Sequence, residues 1–456
     1  MAHHQRRQGI SAMAADLRGN PLSCSAAAAR RLDVAIDKFH AYQADPIAEI
    51  DALLVDEPDC VMGHAIRAGI LATATDKAFG AELQSSLAAA ERLAPRANAR
   101  ERAYIIAAWQ WADGELSAAT ETWGRVAIDH PTDLAAVQLA QLGDYFLGQS
   151  QMIRDRVARV LPRWNRDMPG HGYLLGMHAF GLEECGDYAQ AEAVGREAVT
   201  RNPQDGWAAH AVAHVMEMQG RAAEGAAFMT ETAPGWSPDS LFAFHNWWHV
   251  ALFTIDEGDI AGALRLFDER VSAGGFGQAL EAIDGSALLW RLWVLGHDVG
   301  DRWSRLAQPW ASRISDGIYA FNDVHAMMTF VATGDRAAQR QVIATLERAA
   351  AGAGTNAMMS RDVGLPLARG LVAFGQGDYA GAVAQILPVR GIANRFGGSH
   401  AQRDILSWTL CEAAIRAADA RMAEAMVAER LAMKEGSPVA QGWATRARAL
   451  ARPVAA

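Results

Sequence analysis

His210-Ala-Val-Ala-His214-Val-Met-Glu217 and His245-Asn246-Trp247-Trp248-His249 are two versions of one pattern, a pair of histidines four residues apart. On a helix that spacing stacks both imidazoles on one face, one turn above the other. The two versions are also in register with each other, since 245 − 210 = 35 and 249 − 214 = 35. This interval is about the length of one helix–turn–helix repeat, roughly 34 residues. If each segment is the first helix of its repeat, four imidazoles project from neighbouring helices toward the same side. One spacing thus implies both a fold and a place within it.

The rest of the chain keeps the rhythm. From about residue 98 the helix-forming stretches are joined by short turns built on Gly and Asp: Asp113-Gly114-Glu115, Gly186-Asp187-Tyr188, Gly258-Asp259, Gly334-Asp335 and Gly377-Asp378-Tyr379. Gly supplies the left-handed residue that ends one helix, and Asp caps the next. Pro131, Pro203 and Pro238 end or open helices as the tetratricopeptide pattern requires. A composition rich in Ala, Leu, Arg and Glu favours helix almost throughout. The expected fold is all-α, a right-handed α-solenoid of tetratricopeptide-like helical hairpins, roughly seven or eight pairs by the repeat period. Such arrays grow by stacking units, so 456 residues need not mean several separate cores. The expected division is a flexible tail over 1–20, a helical cap over 21–97, the solenoid with its His-rich concave pocket over 98–435, and a C-terminal tail or short helix over 436–456. Gly-rich connections between Ser272 and Ile283 and between Ala350 and Arg361 break the even spacing and are candidates to lean over that pocket.

Charge and cysteine usage narrow the partners. The net charge is −10 and no basic stripe is present, which argues against a nucleic-acid partner. Cys24, Cys60, Cys185 and Cys411 lie far apart, as isolated reduced thiols do. The N-terminus lacks the apolar core of a signal peptide, and no uninterrupted apolar run is long enough to span a bilayer. The expectation is a soluble, cytoplasmic protein without a membrane partner, its oligomeric state open.

The histidine quartet carries the chemistry. Imidazole is a common metal ligand, and two HxxxH pairs on packed helices can converge on one ion, so His210, His214, His245 and His249 are candidate ligands of a divalent metal. The alternatives are a polar pocket for an organic molecule and a set of hydrogen-bonded core histidines. Glu217 shares the His214 face and can be a further ligand, an orienting group or a general base. Asn246 offers a polar handle, and Trp248, flanked by the second pair, an aromatic wall. Asp284 reads either as a first-turn carboxylate of the helix after the Gly-rich loop or as part of the pocket. In Phe321-Asn322-Asp323-Val324-His325, Asn322 and His325 share a face and Asp323 is offset. Gly397-Gly398-Ser399-His400-Ala401-Gln402-Arg403-Asp404 is a glycine turn into a helix whose Gln402 and Arg403 can hold an anionic group, or which Ser399 simply caps.

These segments, His-Ala-Val-Ala-His-Val-Met-Glu-Met (210–218), His-Asn-Trp-Trp-His (245–249), Phe-Asn-Asp-Val-His (321–325), Arg-Asp-Val-Gly-Leu-Pro-Leu (361–367) and Gly-Gly-Ser-His-Ala-Gln-Arg-Asp (397–404), together resemble the tetratricopeptide repeat protein 38 family. Asp-His-Pro-Thr-Asp (129–133) and Val-Met-Gly-His (61–64) extend the resemblance over nearly the whole chain. It implies a tetratricopeptide-like helical fold, says little about activity, and argues against a catalytic role for His400, a position at which members differ.

Two functions follow as expectations. One is a protein that binds a small molecule or short peptide in a His/Asp/Asn/Arg-lined concave pocket, using His210, His245, Asn246, Trp248, Asp284, Asn322, His325, Gln402 and Arg403. The other is an enzyme in the same pocket, a metal-dependent or His/Glu acid–base hydrolase or lyase, with His214, Glu217, His249 and Asp323 as catalytic groups. The polar residues concentrate in the central and C-terminal helices, which favours a discrete pocket over a long groove.

Overall fold

The computed structural model describes residues 14–434 and 436–451, and within them the chain is a succession of antiparallel helical hairpins. Typical pairs are His171–Glu184 with Tyr188–Arg201, Gly206–Met218 with Ala222–Trp236, and Ala243–Asp256 with Ile260–Leu266. The turns are made as their chemistry demands. Gly258 at φ +85° closes one helix, and the Asp259 side chain then accepts from the Gly262 N–H at 2.8 Å to open the next. The architecture is an all-α solenoid of tetratricopeptide-like hairpins.

The hairpins form two layers with different compositions. The outer helix Tyr188–Arg201 buries only a stripe of Ala191, Gly195 and Ala198. The inner helix Gly206–Met218 is buried on every side from Gly206 to Glu217. A helix with no solvent face must satisfy its polar side chains inside the protein. That is why the inner layer, and not the outer, is where the histidines matter. Fully buried Trp123, Trp236, Trp248, Trp290 and Trp310 fill the space between the layers.

The array also curls until distant hairpins touch. The Tyr42 carbonyl accepts from the Leu241 N–H at 2.8 Å, and Asp76 pairs with Arg313 at 2.9 Å. The Asn322 amide donates to the Thr75 carbonyl at 2.8 Å, and the Asn394 amide to the Gly148 carbonyl at 3.2 Å. Two glycines permit this approach. A Cβ on Gly148 would lie 1.8 Å from the Asn394 carbonyl oxygen, and one on Gly397 would lie 2.0 Å from the Tyr319 hydroxyl. The spacing predicts a concave pocket; contacts between distant hairpins supply further walls to it. The Gly354 connection contributes to this closure and does not cover the pocket, since the Thr355 N–H donates to the Gly114 carbonyl at 3.0 Å.

At the ends, residues 14–20, read from sequence as part of a loose tail, are tied down. Ala14–Ala15 pairs antiparallel with Pro21–Leu22, and the Asp16 carboxylate accepts from the N–H of Arg18 and of Asn20. The remainder of that expected tail, 1–13, lies outside the described residues. The C-terminal helix Pro438–Ala451 buries Trp443, whose indole donates to Glu412 at 2.8 Å. Among the described residues no helix is long and apolar enough to cross a membrane.

Candidate functional site

The helices Gly206–Met218 and Ala243–Asp256 lie side by side in the inner layer and bring the four imidazoles together. One ring nitrogen from each of His210, His214, His245 and His249 lies within 4.8 Å of the other three. Nε2 of His210 is 3.1 Å from Nε2 of His245. All four side chains are buried, His214 and His249 completely. Burial and the neighbouring rings push His210 and His249 well below the ordinary imidazole value, and burial pushes His214 down to about 4 against the opposing pull of Glu184 and Glu217. These three rings are therefore neutral at physiological pH, with lone pairs to offer.

Two carboxylates stand behind the rings. His245 Nδ1 donates to Asp284 Oδ2 at 2.7 Å, which fixes the tautomer that leaves a lone pair on Nε2. Glu183 Oε2 lies 3.5 Å from His214 Nδ1 with no hydrogen-bond partner on either oxygen, and its burial, with Glu184 adjacent, raises its carboxyl well above the usual range. Both ring nitrogens of His214 and of His249 also lack a hydrogen-bond partner. Four buried imidazoles arranged to satisfy one another would show more than the single nitrogen–nitrogen contact seen here.

His210 and His245 form one wall of a cavity of about 210 Å³. Its other walls are apolar, from Phe39, Ile70, Leu142, Phe242, Leu280 and Ile283 among others. A few polar groups interrupt them: the Tyr145 hydroxyl, which donates to Oε1 of the Gln402 side chain, and the Tyr319 hydroxyl, Trp207 Nε1 and Gln402 Nε2, which have no protein partner. The cavity exists because the array closes. Residues 39–75 supply one side of it, and residues 241–283 and 319–402 supply others.

Several residues assigned to the pocket from sequence are engaged elsewhere. Asn246 donates to the Gly206 carbonyl at 3.0 Å and ties the two histidine helices together. Trp248 does not line the cavity; it stacks on His245 from behind, ring centroids 5.3 Å apart, under the Arg291 guanidinium. Glu217 pairs with Lys434. Asn322 is used in closing the array, and His325 Nδ1 donates to its own helix at the Phe321 carbonyl, 2.8 Å. Asp323 lines a separate space of about 10 Å³ beside Asp76 and Arg313, where burial raises its carboxyl to about 7. Arg403 donates to the Gly397 and Gly398 carbonyls and faces outer clefts with His400 and Glu184. Gln402 does reach the cavity. Asp284 is mid-helix in Ala279–Val294, whose cap is Gln278, so it is not a first-turn carboxylate.

Glu183, Tyr145, Tyr319 and Trp207 escaped the sequence reading. Glu183 had a signal: 217 − 183 = 34, one repeat before Glu217. Tyr145 and Tyr319 had none, because they meet the site only through closure of the array.

No protein-family model matches the chain. Among solved structures it is similar to the human IFIT1 dimer with m7Gppp-AAAA, at 15% identity over 86% of this chain and 90% of that one, TM-score 0.43. It is similar also to the human IFIT1 dimer with PPP-AAAA, at 13% identity over 86% and 91%, TM-score 0.42. What stands of the family resemblance is the tetratricopeptide-like fold. The exclusion of nucleic-acid partners is corrected by these structures, which hold capped or triphosphate-ended oligonucleotides.

Proposed function

We propose that the chain binds a small, largely apolar organic molecule in the cavity, with His210, Tyr319 and Trp207 of its wall reading a polar group on it. The observation that carries this reading is the cavity itself: about 210 Å³ of mostly apolar space into which several polar groups point without a protein partner. Pockets of this composition, apolar with a few convergent polar groups, are the usual form of small-molecule sites. An apolar cavity of about 150 Å³ holds benzene, so this one suits a molecule of roughly one or two rings, or a short aliphatic chain, and is too small for a folded or extended peptide. Of the two ligand classes expected from sequence, the small molecule is therefore favoured. Tyr319 and Trp207 donate to that group, and His210 Nδ1, which has no protein partner, completes the set. The resemblance to the tetratricopeptide repeat protein 38 family belongs to this reading, as a proposal about descent and not about chemistry.

The test is to fill the cavity. Ile70→Trp adds bulk at a half-buried wall position without touching the histidines. Ligand-observed NMR with a panel of small aromatic and aliphatic alcohols, amides and acids should detect binding to the native protein that the filled variant loses. Equal binding by both, or none by the native protein, would refute the cavity as the site.

A further inference from the structure

We propose that His210, His214, His245 and His249 together hold one divalent first-row transition-metal ion, independently of what enters the neighbouring cavity. Metal–imidazole bonds are about 2.0–2.1 Å long, so in a tetrahedral set the ligand nitrogens lie about 3.3 Å apart. The 3.1 Å between His210 Nε2 and His245 Nε2 is close to that distance. All four nitrogens lie within 4.8 Å of one another, so rotation of the rings would draw the set in around one ion.

Three independent features point to an ion and not to a packing arrangement. The first is the absence of partners: both nitrogens of His214 and His249, each fully buried, receive no hydrogen bond from the protein. Leaving such groups unpaired costs about 1–3 kcal/mol apiece, a cost that coordination removes for one nitrogen of each ring. The second is what stands behind the ligands. Asp284 takes the Nδ1 proton of His245, and Glu183 sits 3.5 Å from Nδ1 of His214. A carboxylate behind a histidine is the usual outer-shell support of a metal-bound imidazole, because it fixes the tautomer and makes the other nitrogen more basic. Here it has a second use. Four neutral ligands leave the ion's double positive charge uncompensated in a buried place, and Asp284, Glu183 and the adjacent Glu184 are nearby groups able to offset it. The third is the rigidity of the frame: the ligands come in i, i+4 pairs from two packed helices that Asn246 ties together at the Gly206 carbonyl. An all-imidazole set suits zinc, copper, iron or nickel, and disfavours calcium and magnesium, which take oxygen ligands.

The experiment uses the full chain without an affinity tag, purified without chelator and analysed for metal by mass spectrometry. It is then stripped and titrated with Zn(II) and with Co(II), whose visible bands report nitrogen coordination. The expected result is close to one ion per chain, with Co(II) bands that Zn(II) abolishes. A His214→Ala/His249→Ala variant should bind neither metal while keeping the native circular dichroism. Asp284→Asn, which keeps all four imidazoles, should bind 10- to 100-fold more weakly. Failure of the stripped native protein to take up either metal, or undiminished binding by the folded double variant, would overturn the assignment. If the double variant does not fold, the native Co(II) spectrum and the Asp284→Asn affinity decide the question alone. Neither readout depends on a molecule occupying the cavity, so this inference and the proposed binding function can fail separately.

Discussion

One helix, Gly206–Met218, carries two buried polar clusters of opposite character. At its Glu217 end the charges are matched. Lys434 meets Glu217, Arg430 meets Asp404, and the Ser437 hydroxyl donates to Asp256 at 3.0 Å. These contacts fasten the C-terminal segment onto the inner layer, across more than two hundred residues of sequence in the case of Lys434. Around His210 and His214, one or two turns away, ring nitrogens converge and go unmatched. Burial and polarity are common to both clusters, so neither property identifies a site. What separates them is whether a residue has any partner: Glu217 Oε2 and two nitrogens of Arg430 are also unpaired, yet each of those residues is held by an ion pair within the chain, whereas neither nitrogen of His214 or His249 has a hydrogen bond.

The most severe way to break the comparison is to make the matched cluster resemble the unmatched one. Lys434→Met leaves Glu217 buried without its cation, and removing one partner of a buried pair costs about 3–5 kcal/mol. Urea denaturation followed by circular dichroism should show the midpoint fall sharply. The double change Lys434→Met/Glu217→Gln should recover most of the loss, because the orphaned charge has gone. No recovery would mean that the pair contributes packing more than charge.

Mild acid separates buried imidazoles from buried ion pairs by sign. Away from the quartet, burial assisted by Arg18 pushes His40 down to about 3 against its bond to Gln138. The folded state keeps this ring neutral while the unfolded chain protonates it near 6.5, so stability is highest above about 6.5 and declines as pH falls toward about 3. At pH 5 the difference is about 2 kcal/mol. Asp404 behaves in the opposite way: against its burial, Arg430 and Lys434 hold its carboxyl well below the usual range, so its pair survives at that pH. Denaturation midpoints at pH 7.5 and pH 5 should therefore converge in His40→Gln relative to the native protein. An unchanged gap would assign the acid sensitivity to other groups.

How much of this was readable beforehand follows from which contacts are local. Helix existence and repeat period rest on caps, glycines and spacing within a few dozen residues, and the interval of 35 between the histidine pairs carries directly into packed neighbours. Asp284 was visible as a residue but not in its role. It lies 284 − 249 = 35 residues after His249, the interval of the histidine pairs, yet its carboxylate meets His245, one helical turn earlier. Closure of the array was not readable at all. It depends on small rotations summed over many hairpins, and no local pattern records the sum. For this reason polarity puts Asn322, Asp323 and Arg403 in the pocket, whereas Asn322 serves the closure, Arg403 holds the carbonyls of its own glycine turn and Asp323 lines a separate space. Tyr145 and Tyr319, brought in by that closure, went unnoticed.

The smallest expected effect is the most discriminating. His249 is completely buried and neither ring nitrogen has a partner in the chain, so His249→Leu removes polarity without orphaning anything and keeps a similar volume. Replacing an unsatisfied buried polar group by an apolar one of similar shape is nearly neutral, and the midpoint in chelator-treated protein should move by less than about 1 kcal/mol. Added Zn(II) should stabilise the native protein and leave the variant unchanged, since an ion that binds only the folded state raises its stability by mass action. A loss of several kcal/mol in the metal-free variant would place His249 with Lys434 among the groups that hold the array together, and the contrast between the two clusters would collapse.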